Sequence, residues 1–359
     1  MPAEIVVRGA GPVGCTIALL LHAAGRKVGL AGRKTFPGKA PLRPPLRPIA
    51  LSHASRLILE RIGAWRALDP TPIEQIHVSQ QGAFGRTCLS AGDAGVPALG
   101  YVVDYESLSG SLLSRLGDCG IRIETEAEGA LLTVHAEGSS NAVQEKNYSQ
   151  EALVALVTTS PAAAQTAWER FTPEGPLALL PLAGRYCAVW GMPPGRAEAL
   201  CSTSDADFLE ALAVAFGARA GRFVAVGERN RAPLALRVRD SRVGPREAYV
   251  GNAAQTLHPV AGQGLNLGLR DAWDLAQILR GAQDSQDPGD ARLLQRYAAM
   301  RRLDAMAGVR ITDFLAGAFL GANPVAGLMR GIGLTALDIC LPARRFFARR
   351  MIYGTSALP

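Results

Sequence analysis

The chain has 359 residues, 48% of them hydrophobic, and a formal net charge of +7. That length and apolar content suffice for a large packed core in one domain or two intertwined ones, which excludes a disordered chain. The arginines are scattered until the C-terminus and are not interleaved with aromatics, so the moderate basic charge suits an anionic cofactor or membrane surface and argues against nucleic acid.

The cysteines at 15, 88, 119, 187, 201 and 340 include no Cys-x-x-Cys pair, and the N-terminus lacks the charged-then-apolar order of a signal peptide. Free thiols and a cytoplasmic location are therefore expected. His22, His53, His77, His135 and His258 form no metal-like cluster with them, and no metal site is predicted.

Glu4 to Gly9 is a short apolar run that breaks into Gly9-Ala10-Gly11-Pro12-Val13-Gly14, and Cys15 to Ala24 then reads as a helix ending at Gly25. With Lys27 to Ala31 as a second strand, this is a β-α-β unit whose turn has the chemistry a dinucleotide pyrophosphate requires. A glycine turn of this type also occurs in ordinary α/β proteins. At the end of the second strand, where an acidic residue usually takes the ribose hydroxyls, the sequence reads Ala31-Gly32-Arg33.

Residues 34–48 are rich in proline and basic residues and read as a surface or ligand-covering loop. Arg47 sits where that loop turns back, either solvated or against a ligand, and a helix is expected from Ala54 to Ile62. Ile73 to Ser79 and the glycine-rich residues after it have the short alternation of antiparallel strands, where a second, mostly β layer begins. Tyr101 to Asp104, a helix from Leu108 to Leu116, and strands at Ile121 to Glu124 and Leu131 to Ala136 return to the first architecture.

From Tyr148 the strands crowd together, at Ala152 to Thr158, Ala167 to Phe171, Leu177 to Leu182 and Tyr186 to Gly191, which reads as an antiparallel sheet. A helix at Asp205 to Phe216 crosses it, followed by strands at Arg222 to Val226 and Ala235 to Arg239. Ala248 to Gly251 then leads into a glycine-rich stretch ending at Gly268, with a helix from about Leu265 to Arg280. Gly262 and Gly264 let backbone approach a ligand, and the helix aims its positive end at the same place.

Further helices are expected at Ala291 to Leu315 and Ala326 to Leu341, then a basic end from Arg344 to Arg350. Pro324, Arg330 and several glycines keep any stretch from reaching the length of a membrane span. The basic end suits either an anionic membrane surface or a helical cap with a solvated arginine face.

Three motifs in fixed order now coincide: the Gly9 to Gly14 turn, Ala136-Glu137-Gly138-Ser139-Ser140, and Gly251-Asn252-Ala253-Ala254-Gln255 with His258-Pro259 and Gly262-Gln263-Gly264. With them the chain resembles the single-component FAD-dependent aromatic hydroxylases. Through Arg47 to Ser52, Glu169 to Pro176 and all of 251–268, it looks most like their ubiquinone-biosynthesis branch, the one acting on 2-polyprenyl-6-methoxyphenol. That family usually places additional strands between the segments like Ile121 to Glu124 and Ala136 to Ser140, and here few residues separate them.

The resemblance implies an α/β (α+β overall) fold: a Rossmann-like FAD/NAD(P)-binding domain with an inserted antiparallel β-sheet substrate domain and C-terminal helices. The expected division is 1–72, 101–147 and 245–300 for FAD, 73–100 and 148–244 for substrate, and 301–359 for the helical end. Gly9, Gly11 and Gly14 would hold the FAD pyrophosphate, with Pro12 and Val13 in the same turn and Arg33 nearby. Arg47 would lie near the flavin, Asn252 would bond the ribityl chain or pyrophosphate, and Pro259 would flank the ring. Gly262, Gln263 and Gly264 would face the flavin's pyrimidine edge, with Leu265 and Asn266 following, while Glu137 belongs to the motif serving NAD(P)H.

The implied reaction is reduction of FAD by NAD(P)H, capture of O2 as a C4a-hydroperoxide and hydroxylation of a polyprenylated phenol. Other readings are a hydroxylase of a small soluble aromatic, or a non-catalytic FAD-fold binding subunit. The resemblance also implies peripheral contact with the inner membrane through the basic end, and a complex with other ubiquinone-biosynthesis proteins. No catalytic side chain is assigned.

Overall fold

A computed structural model describes residues 3–32, 47–125, 130–138, 144–256, 263–282, 287–318 and 324–354. The chain opens with β1 (Ile5–Arg8), α1 (Pro12–Ala23) and β2 (Val28–Ala31), then β3 (Pro48–Ser52) and α2 (His53–Arg61). β4 (Thr71–Ile73), β5 (Gln75–Gln80), β6 (Arg86–Ser90) and α3 (Ala91–Ala94) follow. β7 (Gly100–Asp104), α4 (Tyr105–Asp118), β8 (Ile123–Glu124) and β9 (Leu132–His135) come next. The middle of the chain holds β10 (Gln144–Ser160), β11 (Thr166–Phe171), β12 (Pro176–Leu182), β13 (Arg185–Met192), α5 (Pro194–Ser202), α6 (Asp205–Phe216) and β14 (Arg222–Val238). Last are β15 (Val243–Gly244), β16 (Glu247–Tyr249), a 3-10 turn at Gly251–Ala253, β17 (Gln255–Thr256), α7 (Gln263–Arg280), α8 (Ala291–Ala318), α9 (Pro324–Ile339) and α10 (Leu341–Tyr353).

These strands make three sheets. A six-stranded sheet in the order β15-β16-β9-β1-β2-β8 carries the β1-turn-α1 unit, with β1 parallel to both β2 and β9. An all-apolar β1 interior and the apolar helices α1 and α7 bury Ile5, Val7, Ile17, Leu21, Leu30 and Leu269 in one core. Two-residue β8 closes that sheet's edge beside β2. A three-stranded sheet, β3-β7-β4, adjoins it, and an eight-stranded sheet runs β17-β14-β10-β13-β12-β11-β5-β6. Behind the eight-stranded sheet, Trp190, Phe208, Leu212 and Phe216 form a second core under α6.

The structure departs from the sequence reading in several places. β10 and β14 are single 17-residue strands, where the sequence suggested short ones. Backbone pairing carries β14 through the mostly exposed run from Arg229 to Pro233, because Glu151 to Ala155 of β10 supplies the partner groups that its own side chains do not advertise. The large sheet is not wholly antiparallel, since β5 and β11 pair in parallel, Val78 opposite Glu169. α5 has no counterpart in the sequence reading, whereas the basic end is helical, as one of its two readings had it: the 13-residue helix α10, packed inward through Ala348 and Ile352. Arg344 anchors it to Asp93 at 2.9 Å.

No helix among the described residues is long and apolar enough to cross a membrane. None of their His, Cys, Asp and Glu side chains cluster as a metal site would require.

Candidate functional site

The glycine turn after β1 is shaped by steric necessity. Gly9 has φ +110°, and a Cβ there would lie 2.5 Å from the Ala136 carbonyl oxygen; one on Gly14 would lie 1.8 Å from the Gly9 carbonyl oxygen. Gly14 thereby lets α1 pack onto the turn, while a Cβ on Gly11 would meet nothing within 4 Å. α1 begins at Pro12 with no capping side chain and no acidic residue in its first turn. Its free N–H groups and positive end suit an anion such as a pyrophosphate.

Gly9, Gly11, Pro12 and Val13 open onto a cavity of about 1570 Å³ that also reaches Arg47, Asn252, Gln263, Gly264, Leu265 and Asn266. Gly14 lies behind the turn. Arg33, His258, Pro259 and Gly262 fall outside the described residues. Ligand pockets commonly run from about 300 to 1,000 Å³, so this space takes more than one molecule.

Each segment is held in place by contacts of its own. Asp271 of α7 accepts hydrogen bonds from the Gly251 amide and from Gln255 Nε2, both at 3.0 Å, and so fixes the turn that carries Asn252. Asn266 accepts from the Ser52 amide at 2.8 Å and from Ser55 Oγ at 2.7 Å, and donates to the Ala50 carbonyl at 3.0 Å. Its amide therefore clamps β3 and α2 to the first turns of α7. Arg47 lies 4.6 Å over the Tyr105 ring, and both line the cavity. Gly264, near the start of α7, has open space where a Cβ would be.

Gly32 proves to be a packing glycine. A Cβ at this position would sit 2.9 Å from Ala10 N, so the backbone leaves no room for the acidic side chain usual there. Thr125 and Glu137 bring polar atoms to the same end of the cavity. Glu137 lies 3.4 Å from His135, whose ring stacks on Tyr249 at 4.6 Å.

The opposite wall falls within the segments expected to hold the substrate, although the sequence singled out none of its side chains. It is the inner face of the eight-stranded sheet, where Ile76, Val78, Leu89, Ala178, Leu180 and Val189 present aliphatic side chains. α9 and α10 cover it with Met329, Leu334, Leu337, Phe347 and Met351. On this wall stands one carboxyl group, Glu169 of β11. Burial pushes its pKa up to about 7, and its Oε1 has no hydrogen-bond partner. The alternation Ala167, Glu169, Phe171, which puts one carboxyl among apolar residues on a single face of β11, is the sequence signal that marks it.

A glycine-turn cradle at one end and a greasy chamber at the other define a dinucleotide-dependent enzyme with room for a second, apolar molecule. Residues 128–312 match the family model described as FAD binding domain. Ubiquinone hydroxylase UbiL of Rhodospirillum rubrum is 31% identical over 390 aligned positions, covering 99% of this chain and 90% of that protein. The 3-demethoxyubiquinol 3-hydroxylase of Escherichia coli is 27% identical, with 94% and 95% coverage. Among solved structures, p-nitrophenol 4-monooxygenase PnpA of Pseudomonas putida DLL-E4 shares the fold, with a TM-score of 0.74 at 17% identity over 99% of both chains.

The chain belongs to the FAD-dependent aromatic hydroxylases, in their ubiquinone-biosynthesis branch. It is an FAD-dependent monooxygenase that uses NAD(P)H as co-substrate. The cradle fits that cofactor: of the turn's three glycines, Gly11 alone has open space where a Cβ would be, and it stands at the uncapped start of α1, facing the cavity.

Proposed function

We propose that the enzyme hydroxylates the ring of a polyprenylated phenol in ubiquinone biosynthesis. The observation that carries this is the continuity of one cavity from the glycine turn to the apolar wall beneath α9 and α10. An aliphatic chamber of this kind suits a substrate bearing an isoprenoid tail, since each buried CH2 contributes about 0.8 kcal/mol.

In this reading Gly9, Gly11, Gly14 and the first turn of α1 hold the FAD pyrophosphate, and Asn252 contacts the ribityl chain or phosphate. Arg47 lies by the flavin, with Gln263 and Gly264 at its pyrimidine edge; Pro259 and Gly262, assigned to the same site, lie outside the described residues. Bound FAD supplies the redox chemistry, taking electrons from NAD(P)H and activating O2. The chain's part is to orient the phenol ring and keep water away, which the aliphatic side chains of β5, β6, β12 and β13 are suited to do. The FAD and substrate portions follow the division 1–72, 101–147 and 245–300 against 73–100 and 148–244.

The substrate's lipid character also calls for a membrane contact. Leu328, Met329, Ile332, Ile339 and Phe346 are exposed on α9 and α10, beside the exposed Arg345 and Arg349. Apolar side chains rimmed by arginines suit the surface of an anionic membrane, and Met329 both faces outward and lines the cavity.

The test is NAD(P)H oxidation by the flavin-loaded enzyme. Stimulation by a prenylated methoxyphenol, with hydroxylated product and no comparable response to small hydroxybenzoates, is expected. Equal stimulation by soluble hydroxybenzoates would replace this reading with that of a hydroxylase for small aromatics.

A further inference from the structure

We propose that Glu169 is the catalytic base that takes the proton from the substrate's phenolic hydroxyl, an assignment that rests on reading the cavity as a phenol hydroxylase site.

The sheet registers place it. Thr87 pairs with Val78, Val78 with Glu169, Glu169 with Ala178, and Ala178 with Val189. All five line the cavity, so Glu169 stands mid-sheet in a row of short side chains, half-buried, with its Oε1 covered and the rest of the side chain facing the cavity. Neither β5 nor β12 supplies it a hydrogen-bond donor, and Oε1 has no partner.

A carboxyl deprived of bulk water and of partners is costly to keep, and buried polar groups are otherwise nearly always paired. A phenol hydroxyl in the cavity supplies a donor on the carboxyl's open side. The neighbouring charges are committed elsewhere. Arg170, next on β11, points to the far face and donates to the Ala215 carbonyl and Ser79 Oγ. On that same far side His77 of β5 packs at a tilt against the Trp168 ring and meets Arg219. Arg330 of α9 donates to Gln80 Oε1, and Glu137 lies at the cofactor end beside His135.

The step is a proton transfer. The phenol O–H bond breaks, the proton passes to the Glu169 carboxylate, and the electron pair stays on the phenol oxygen. Its delocalisation makes the ring carbons ortho and para to that oxygen more nucleophilic toward the oxygen atom delivered from O2. Nothing is oxidised or reduced in this step. Burial alone raises the carboxyl to about 7, which matches the base to the working pH.

The experiment compares the full-length, flavin-loaded wild type with E169Q and E169D on a prenylated methoxyphenol. E169Q is expected to keep its flavin and bind the phenol while kcat falls about 100-fold or more. The wild-type acid limb, in which the rate rises with pH through about 7, should disappear with it. Infrared difference spectra of the resting protein should show a carboxyl band titrating near that pH in wild type and none in E169Q.

E169D, with a shorter carboxylate, should lose part of kcat and keep the limb. If E169Q does not accumulate, an unchanged kcat in E169D overturns the proposal. An active wild type matched by an E169Q of equal kcat and unchanged pH profile overturns it alone. A wild type that no phenol stimulates overturns the hydroxylase reading and the proposal with it.

Discussion

The carboxylate of Asp271 accepts the Gly251 amide at 3.0 Å and meets the fully buried Arg301 at 2.6 Å, so one side chain of α7 ties the cofactor-side turn to α8. Arg301 is shared further with Asp274 and Asp304, each at 2.8 Å. Removing one member of such a buried set leaves uncompensated charge, at about 3–5 kcal/mol. Asp271→Ala is therefore expected to lower unfolding stability by that amount in denaturant titrations. Flavin content should fall too, because the turn carrying Asn252 loses its anchor. A variant with wild-type stability would show that α7 and the turn are held by packing alone.

Two glycines at the site separate binding from folding. Gly264 has open space around a would-be Cβ, whereas a Cβ on Gly14 meets the Gly9 carbonyl oxygen at 1.8 Å. Gly264→Val is expected to give a folded protein with wild-type far-ultraviolet circular dichroism and no retained FAD, its branched side chain occupying cavity space. Gly14→Val should lose flavin and stability together, since α1 must move off β1. Full flavin content in Gly264→Val would place the ring elsewhere in the cavity.

The contrast explains what the sequence could disclose. The β1-turn-α1 unit was readable because its determinants are local: an apolar run, glycines at set spacing and Pro12 at the helix start. The reach of β10 and β14 was hidden, because a strand whose backbone is satisfied by a distant partner needs no apolar alternation of its own. Glu169 could be named from the sequence but not located, since its place depends on β5 lying parallel to β11 across some 90 residues of intervening chain. Gly32 was visible as the absence of an acidic residue, and only the approach of Ala10 gives the reason.

The α9–α10 face predicts a lipid effect. Phe346 is 73% exposed between Arg345 and Arg349. Combined R345E, F346E and R349E substitutions are expected to abolish co-sedimentation with vesicles containing anionic lipid, each lost arginine weakening attraction by about 1 kcal/mol. The apparent KM for a long-chain phenol delivered in those vesicles should rise, with kcat for a soluble short-chain analogue unchanged. Equal vesicle binding by the variant would leave α10 as a solvated cap.

Glu169 also gives stability a pH dependence of known sign. A carboxyl ordinarily near 4.5 and held at about 7 in the fold binds its proton more tightly folded than unfolded. Its raised value therefore supports the fold below about 4.5, and that support is lost as pH rises from there through about 7. At 1.36 kcal/mol per unit, discounted for water inside the cavity, the loss is on the order of 2 kcal/mol. E169Q, which does not titrate, should match wild type in urea unfolding at about pH 4.5 and exceed it by that margin at about pH 8. Parallel stability curves for the two proteins across this range would mean that the carboxyl reaches solvent in the folded state, and that its pKa is set by water and not by the aliphatic wall around it.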